Sequence, residues 1–255
     1  MKTENHLTRK PAFSGSFYPA TKEEIFRFFQ RFRSQFPEDG LPAEVKNQKI
    51  SGLIVPHAGW VYSGKTAFAA YRLLKEAAPA KIALLGPSHR ALFHTVYRDT
   101  HNFWESPLGL TPVLRDPHFP EHPEVHNNEH SLEVQLPFIQ YFSPESTLLP
   151  LVTGHISNSQ ATEFATWLED YFLIISTDLS HYHPLDEARH IDSRTIRQIE
   201  QMDDRQIDAC GINPLRIAFA YMKKHGLSPR LVDYSTSAEA FGDASAVVGY
   251  ASFWF

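Results

Sequence analysis

The sequence predicts a single α/β domain, a central parallel or mixed sheet flanked by helices, and three observations carry that prediction. Short, almost wholly apolar runs at 53–55, 81–85, 147–152 and 172–177 alternate with longer stretches of helical spacing. Strands buried on both faces by crossover helices read this way. The 255 residues show no internal repeat, no low-complexity tract and no interdomain linker, and 42% hydrophobic content is ample for one large core. Three of the apolar runs end in turns that carry histidine, at His57, at His89, and at Asp178 with His181. In open α/β sheets, ligands gather in the crevice outside the carboxyl ends of the strands.

In chain order, residues 1–10 are polar and read as a frayed end. Residues 11–19 (PAFSGSFYP) are aromatic and turn-rich, too short for a domain, and are expected to pack against the body. Thr21-Lys22-Glu23-Glu24 has the form of a capping box. It opens a helix to about residue 36, with Ile25, Phe28, Phe29 and Phe32 at helical spacing. A polar linker over 37–48 leads to a strand over 50–55, a Gly-punctuated turn, and a helix over 66–77. A strand over 81–85 precedes an irregular stretch from about 88 to 128, with one extended segment expected at 102–106. A loop of that length is functional or hides short strands. Next come a helix over 131–142 with Asn128 as its expected N-cap, a strand over 147–152, a helix over 160–171 capped by Ser157 or Ser159, and a strand over 172–177. Helices over 185–203 and 214–225 flank Cys210, and strands over 231–234 and 246–254 close the chain.

Composition narrows the function. Lys and Arg number 24 against 29 Asp and Glu, for a formal charge of -5 without a basic cluster. That balance argues against nucleic acid or an anionic membrane as the main partner. No segment approaches the roughly 18–20 apolar residues that span a bilayer. The first residues lack the apolar core of a secretory signal. One Cys excludes an intrachain disulfide framework and suits a reducing cytoplasm, the expected location. The 14 His residues call for an explanation, because neutral imidazole is the commonest side-chain metal ligand.

Several residues can carry chemistry. His57 ends an apolar run and is followed by small residues that let backbone approach a ligand; taken alone, the reading as a strand-end His bonded to a carbonyl is the stronger, and only its pairing with His89 favours a ligand site. His89 is placed in the same way after the next strand. Consecutive strands often lie side by side, which would bring the two rings together. Cys210 precedes an expected helix start with Asn213 as cap and Pro214 at the first position. A helix N-terminus favours a thiolate, and the alternative is a small buried hydrophobe. Asp178 can orient an imidazole and His181 can act as general acid/base. Glu129 and His130 either project into the crevice or are a first-turn acid beside an exposed His. His183, His94, His101, His118, His122 and His126 read as solvated loop residues.

The ordered set of motifs resembles the MEMO family, relatives of the class III extradiol ring-cleaving dioxygenases. It comprises Phe17-Tyr18-Pro19, PHAGWVYSG at 56–64, GPSH at 86–89, EHSLEVQLPF at 129–138, STDLSHY at 176–182, Cys210-Gly211 and Gly242-Asp243. The resemblance implies a dioxygenase-like α/β domain with a metal-binding cleft. It points to His57, His89 and Cys210 as metal ligands, to His181, Asp178 and Glu129 as catalytic groups, and to His130 in the cleft. The related dioxygenases hold iron(II) with two His and a carboxylate. A thiolate in the third place argues against ring cleavage and widens the expected metals to iron(II), copper or zinc. The resemblance implies a metal-dependent oxidoreductase; a metal-dependent hydrolase and a non-enzymatic binding or adaptor protein are the alternatives. It further implies a small-molecule or peptide ligand, with a radical-SAM protein and a small companion protein as partners.

Overall fold

The computed structural model describes residues 8–36 and 48–255. Residues 1–7 and all but the last residue of the expected linker over 37–48 lie outside the described residues. The fraying expected over 1–10 does not hold for Thr8 and Arg9, since β1 (Thr8–Arg9) is a strand parallel to Phe103–Ser106. Arg9 is only 3% exposed and pairs with Glu133 at 2.6 Å, so a buried ion pair overrides the polar composition of 1–10.

The capping box forms as read: Glu24 N donates to Thr21 Oγ1 and Thr21 N to a Glu24 carboxylate oxygen, opening α1 (Lys22–Arg33), which buries Ile25 and Phe29. β2 (Gly52–Val55) is followed by α2 (Trp60–Tyr71) and the short α3 (Leu74–Ala77). α2 begins six residues before the expected position of 66, because Trp60 packs on Phe29 and Phe138 and draws the glycine-bearing turn into the helix. After β3 (Lys81–Pro87), the long irregular stretch does hide short elements: β4 (Val96–Arg98), β5 (Phe103–Ser106), β6 (Gly109–Pro112) and α4 (Pro123–Asn127). The helix expected over 131–142 is two pieces, α5 (His130–Glu133) and α6 (Leu136–Phe142). Pro137 has no N–H to continue the ladder. The N-cap of α5 is Glu129 rather than Asn128, its carboxylate accepting from Ser131 N.

β7 (Thr147–Thr153), α7 (Asn158–Trp167) with Ser157 as its cap, and β8 (Phe172–Ser176) follow. Then come β9 (His181–His183), which the sequence reading missed, and α8 (Leu185–Glu200). α9 (Ile212–His225) starts at Gly211, not Asn213, whose side chain instead accepts from Ile156 N and Arg216. β10 (Arg230–Thr236), α10 (Ala238–Phe241) and β11 (Val247–Trp254) end the chain.

Among the described residues, the main sheet has the order β10-β11-β2-β8-β3-β7-β4, and β9 pairs with β11. β2, β8, β3 and β7 run parallel, while β10, β11 and β4 are antiparallel to their neighbours. β2 and β3 are therefore not neighbours as expected; β8 is inserted between them. Val55 pairs with Ser176, and Leu85 with Ile175, so the three strands end nearly level. Alternate residues serve opposite faces. Leu53 and Val55 join the aromatic core with Phe29, Trp60 and Phe138, and Ile54 joins the core under α7 and α9.

Candidate metal centre

Level strand ends bring His57, Asp178 and His89 to one rim. The buried Asp178 carboxylate accepts from His57 N (2.7 Å) and Ala58 N (3.3 Å), which ties the turn after β2 to the turn after β8. His57 Nδ1 lies 2.9 Å from Ser176 Oγ. That hydroxyl gives its one hydrogen to the Ser131 carbonyl at 2.6 Å and also accepts from Gln135 Nε2 at 2.9 Å. Ser176 therefore has only lone pairs to offer His57, so His57 carries its hydrogen on Nδ1 and turns the lone pair of Nε2 toward Cys210 Sγ. Burial, then the nearby His89, push the His57 imidazolium pKa down to about 3, which keeps the ring neutral.

His89 is held by Glu129 from across the rim. Glu129 Oε2 accepts from His89 N (2.7 Å), while Oε1 accepts from His89 Nδ1 (2.9 Å) and Ser131 N (2.9 Å). This leaves His89 Nε2 free in turn. Burial opposes ionisation of Glu129, but the His89 ring and the amides outweigh it and draw the carboxyl to about 2. The approach depends on Gly86, where a Cβ would stand 2.7 Å from Leu132 and from Ser131 Oγ. His130 follows directly. Its ring lies 4.7 Å from that of His89 and 5.5 Å from that of His57, and its buried Nδ1 has no hydrogen-bond partner. Burial and then His57 push its pKa down to about 4. The His57 and His89 rings are 5.1 Å apart, and donor atoms of the three imidazoles all lie within 4.8 Å of one another.

Cys210, from far along the chain, lies beside His57 and outside the group of three imidazoles. Its Sγ lies 3.3 Å from His57 Nε2 and accepts from Asp178 N at 3.2 Å. Gly211 makes this possible, since a Cβ there would stand 2.4 Å from Thr177 Cβ, and its N donates to Thr177 Oγ1 at 2.8 Å. The helix start does not lower the thiol pKa as expected. Burial, then Asp178, push it up to about 12. Asp178 itself is raised by burial, against the amides of His57 and Ala58.

A cavity of about 560 Å3 opens beside the cluster, with His130, Asp178 and His181 on its wall. The residues singled out in the sequence thus meet at one place. The solvated-loop reading fails for His126, which is fully buried with Nε2 donating to the Tyr97 carbonyl, for His101, held by the buried Asp99, and for His183, which lies in β9. The sequence reading gave no role to Ser176, Gln135, Arg9 or Glu133. Polar residues inside otherwise apolar runs were the available signal for the first two.

The Memo-like protein family model matches residues 9–254. A MEMO1 family protein of Aquifex aeolicus is 34% identical over 267 residues, covering 95% of this chain and 97% of the relative. One from Archaeoglobus fulgidus is 34% identical over 273 residues, covering 97% and 99%. Another, from Methanobrevibacter smithii, is 32% identical over 280 residues, covering 96% and 99%.

Proposed function

The chain belongs to the Memo-like protein family, and from that premise we propose that the sheet rim is the metal centre of a redox enzyme using iron or copper. The observation that carries this reading is three imidazoles with donor atoms within 4.8 Å of one another and a thiol 3.3 Å from one of them. Two ligands of one tetrahedral ion, nitrogen and sulfur at ordinary bond lengths, lie about 3.6 Å apart. His57 and Cys210 fit that spacing as they stand. His57, His89 and His130 would hold the ion, and Cys210, expected in the third place, stands beside His57 as a further donor. The thiol, pushed up to about 12, would give up its proton only to a bound cation. His130 Nδ1 makes no hydrogen bond, although Glu129 Oε1 lies 3.4 Å away.

When bound, the metal supplies one-electron chemistry with dioxygen or a related oxidant. The protein supplies position and protons. Ser176 and Glu129 fix the tautomers of His57 and His89 through their Nδ1 atoms, the outer support that metal-binding histidines need. Asp178 holds the His57 backbone in place. His181, on the cavity wall with Asp178, is the group that moves a proton to or from the bound substrate.

Elemental analysis of anaerobically purified protein tests this. About one iron or copper per chain is expected, lost when His57→Ala or Cys210→Ala is made. Undiminished metal in both variants would overturn the reading. Stoichiometric zinc with no redox response would transfer the centre to hydrolysis, and a metal-free chain that binds peptide tightly would make it a binding protein.

A further inference from the structure

The cavity beside the metal centre has aromatic walls, the carboxyl groups of Asp178 and Asp243, the imidazoles of His130 and His181, and no Lys or Arg among its described lining residues. Charge is segregated here. Phe17 lines this cavity and a second one, and the arginines Arg27 and Arg31 lie on the other side of it. Lys65, on α2, faces Glu239 of α10 at 3.7 Å rather than standing alone. Asp243 Oδ1 accepts from Ser245 N (2.9 Å) and Ser245 Oγ (2.7 Å), bonds that favour its charged form.

Around this cavity large rings are left exposed: Tyr62 at 40%, Phe241 at 68% and Tyr182 at 76%. The rings of Tyr62 and Phe241 meet edge to face at 5.3 Å. Tyr182 has φ +62°, a left-handed backbone that a bulky aromatic rarely adopts. The residues on either side hold it there, His181 pairing with Val248 and His183 with Val247, across a register shift in β11. Strain of this kind gathers at ligand sites. Here it accompanies a tyrosine set on the wall of a ring-lined cavity that also carries the Asp243 carboxylate.

We propose that this cavity binds an organic ammonium compound, its positive head held by Tyr62, Tyr182 and Phe241 and by the carboxylate of Asp243. The assignment deepens the metal-centre reading and rests on it for the chemistry that follows binding. Rings attract cations through their faces, and an ammonium among several rings is the usual use of such a cage. About 560 Å3 suits a small organic molecule, whose remainder extends toward Asp178 and His130.

The test is calorimetric titration of the full chain, metal-loaded and chelator-treated, with phenethylamine, 2-phenylethanol and phenylacetate. The probes share a ring and differ chiefly in charge. In the chelator-treated chain, phenethylamine is expected to bind about fivefold or more tightly than the alcohol, the scale of one cation–ring contact, with phenylacetate weakest. Asp243→Asn and Tyr182→Gly should each cut that preference to about twofold or less, with metal content unchanged; the glycine also relieves the backbone strain. Failure of phenethylamine to bind, equal or tighter binding of phenylacetate, or a preference untouched by both variants would overturn the proposal. Elemental analysis of the same preparations separates the two readings. A chain that takes up no metal counts against the metal centre, whereas one that takes up metal without preferring the amine counts against the ammonium site alone.

Discussion

Ser176 has one hydroxyl hydrogen, and the direction in which it donates decides what His57 can do. Because the Ser131 carbonyl takes that hydrogen, His57 must donate from Nδ1, and its Nε2 is turned over to the cluster. Ser176→Ala would leave the buried His57 Nδ1 and one Gln135 hydrogen without an acceptor. A loss of about 1–3 kcal/mol in unfolding free energy is expected. Metal affinity should fall by about 10–100-fold, as it does when other such supports are removed. A titration showing unaltered metal affinity would refute the role. His57, His89 and Asp178 were legible because each follows an apolar run. Ser176 was not, since a serine at the end of a strand does not announce where its hydroxyl points.

At the scale of elements, the cluster depends on how the N-terminal segment is fastened to α5. Fully buried Glu133 accepts from Arg9 Nη1 (2.6 Å), Ala12 N (3.0 Å), Phe13 N (2.8 Å) and Tyr18 OH (2.9 Å). Arg9 also donates to the carbonyls of His126 and Glu129. Phe13 and Phe17 in turn pack on the ring of His130, at 5.8 and 4.7 Å. Arg9→Met would leave Glu133 charged and buried, at a cost of about 3–5 kcal/mol. The double variant Arg9→Met, Glu133→Gln should regain part of that loss in urea unfolding, because no lone charge then remains while the amide oxygen still accepts from the segment's donors. If the double variant were no more stable than Arg9→Met, the ion pair would not be the source of the effect. The capping box of α1 and a serine cap for α7, at Ser157 or Ser159, were readable because a cap is a contact within four residues. The early start of α2 and the break between α5 and α6 depend on Trp60 packing and on Pro137 within a crowded core, which local spacing does not encode.

For the molecule as a whole, burying neutral imidazoles links stability to pH. The ordinary imidazole value is near 6.5, and His57 and His130 are pushed down to about 3 and about 4. Below pH 6.5 the unfolded chain therefore binds more protons than the folded one. The stability is complete above that pH and is lost as pH falls through the folded values. Glu129, drawn to about 2, acts in the same sense further down, while Asp178, raised by burial, acts in the opposite one. The thermal midpoint of the chelator-treated chain should thus drop between pH 7 and pH 4, and His57→Asn should flatten the slope. A midpoint that rose across this window would show that His57 is not held neutral.

The sequence by itself determined the alternation of strands and helices, the strand ends that carry His57, His89 and Asp178, and the family resemblance of the ordered motifs. These follow from periodicity and local order along one chain. Only the tertiary structure decided that β8 lies between β2 and β3, that Sγ of Cys210 stands beside Nε2 of His57, and that a buried Arg9 braces the segment bearing His130. The reason is that each of these contacts joins residues far apart in sequence, through backbone approaches at Gly86 and Gly211 and hydrogen-bond directions that exist only once the strands have paired.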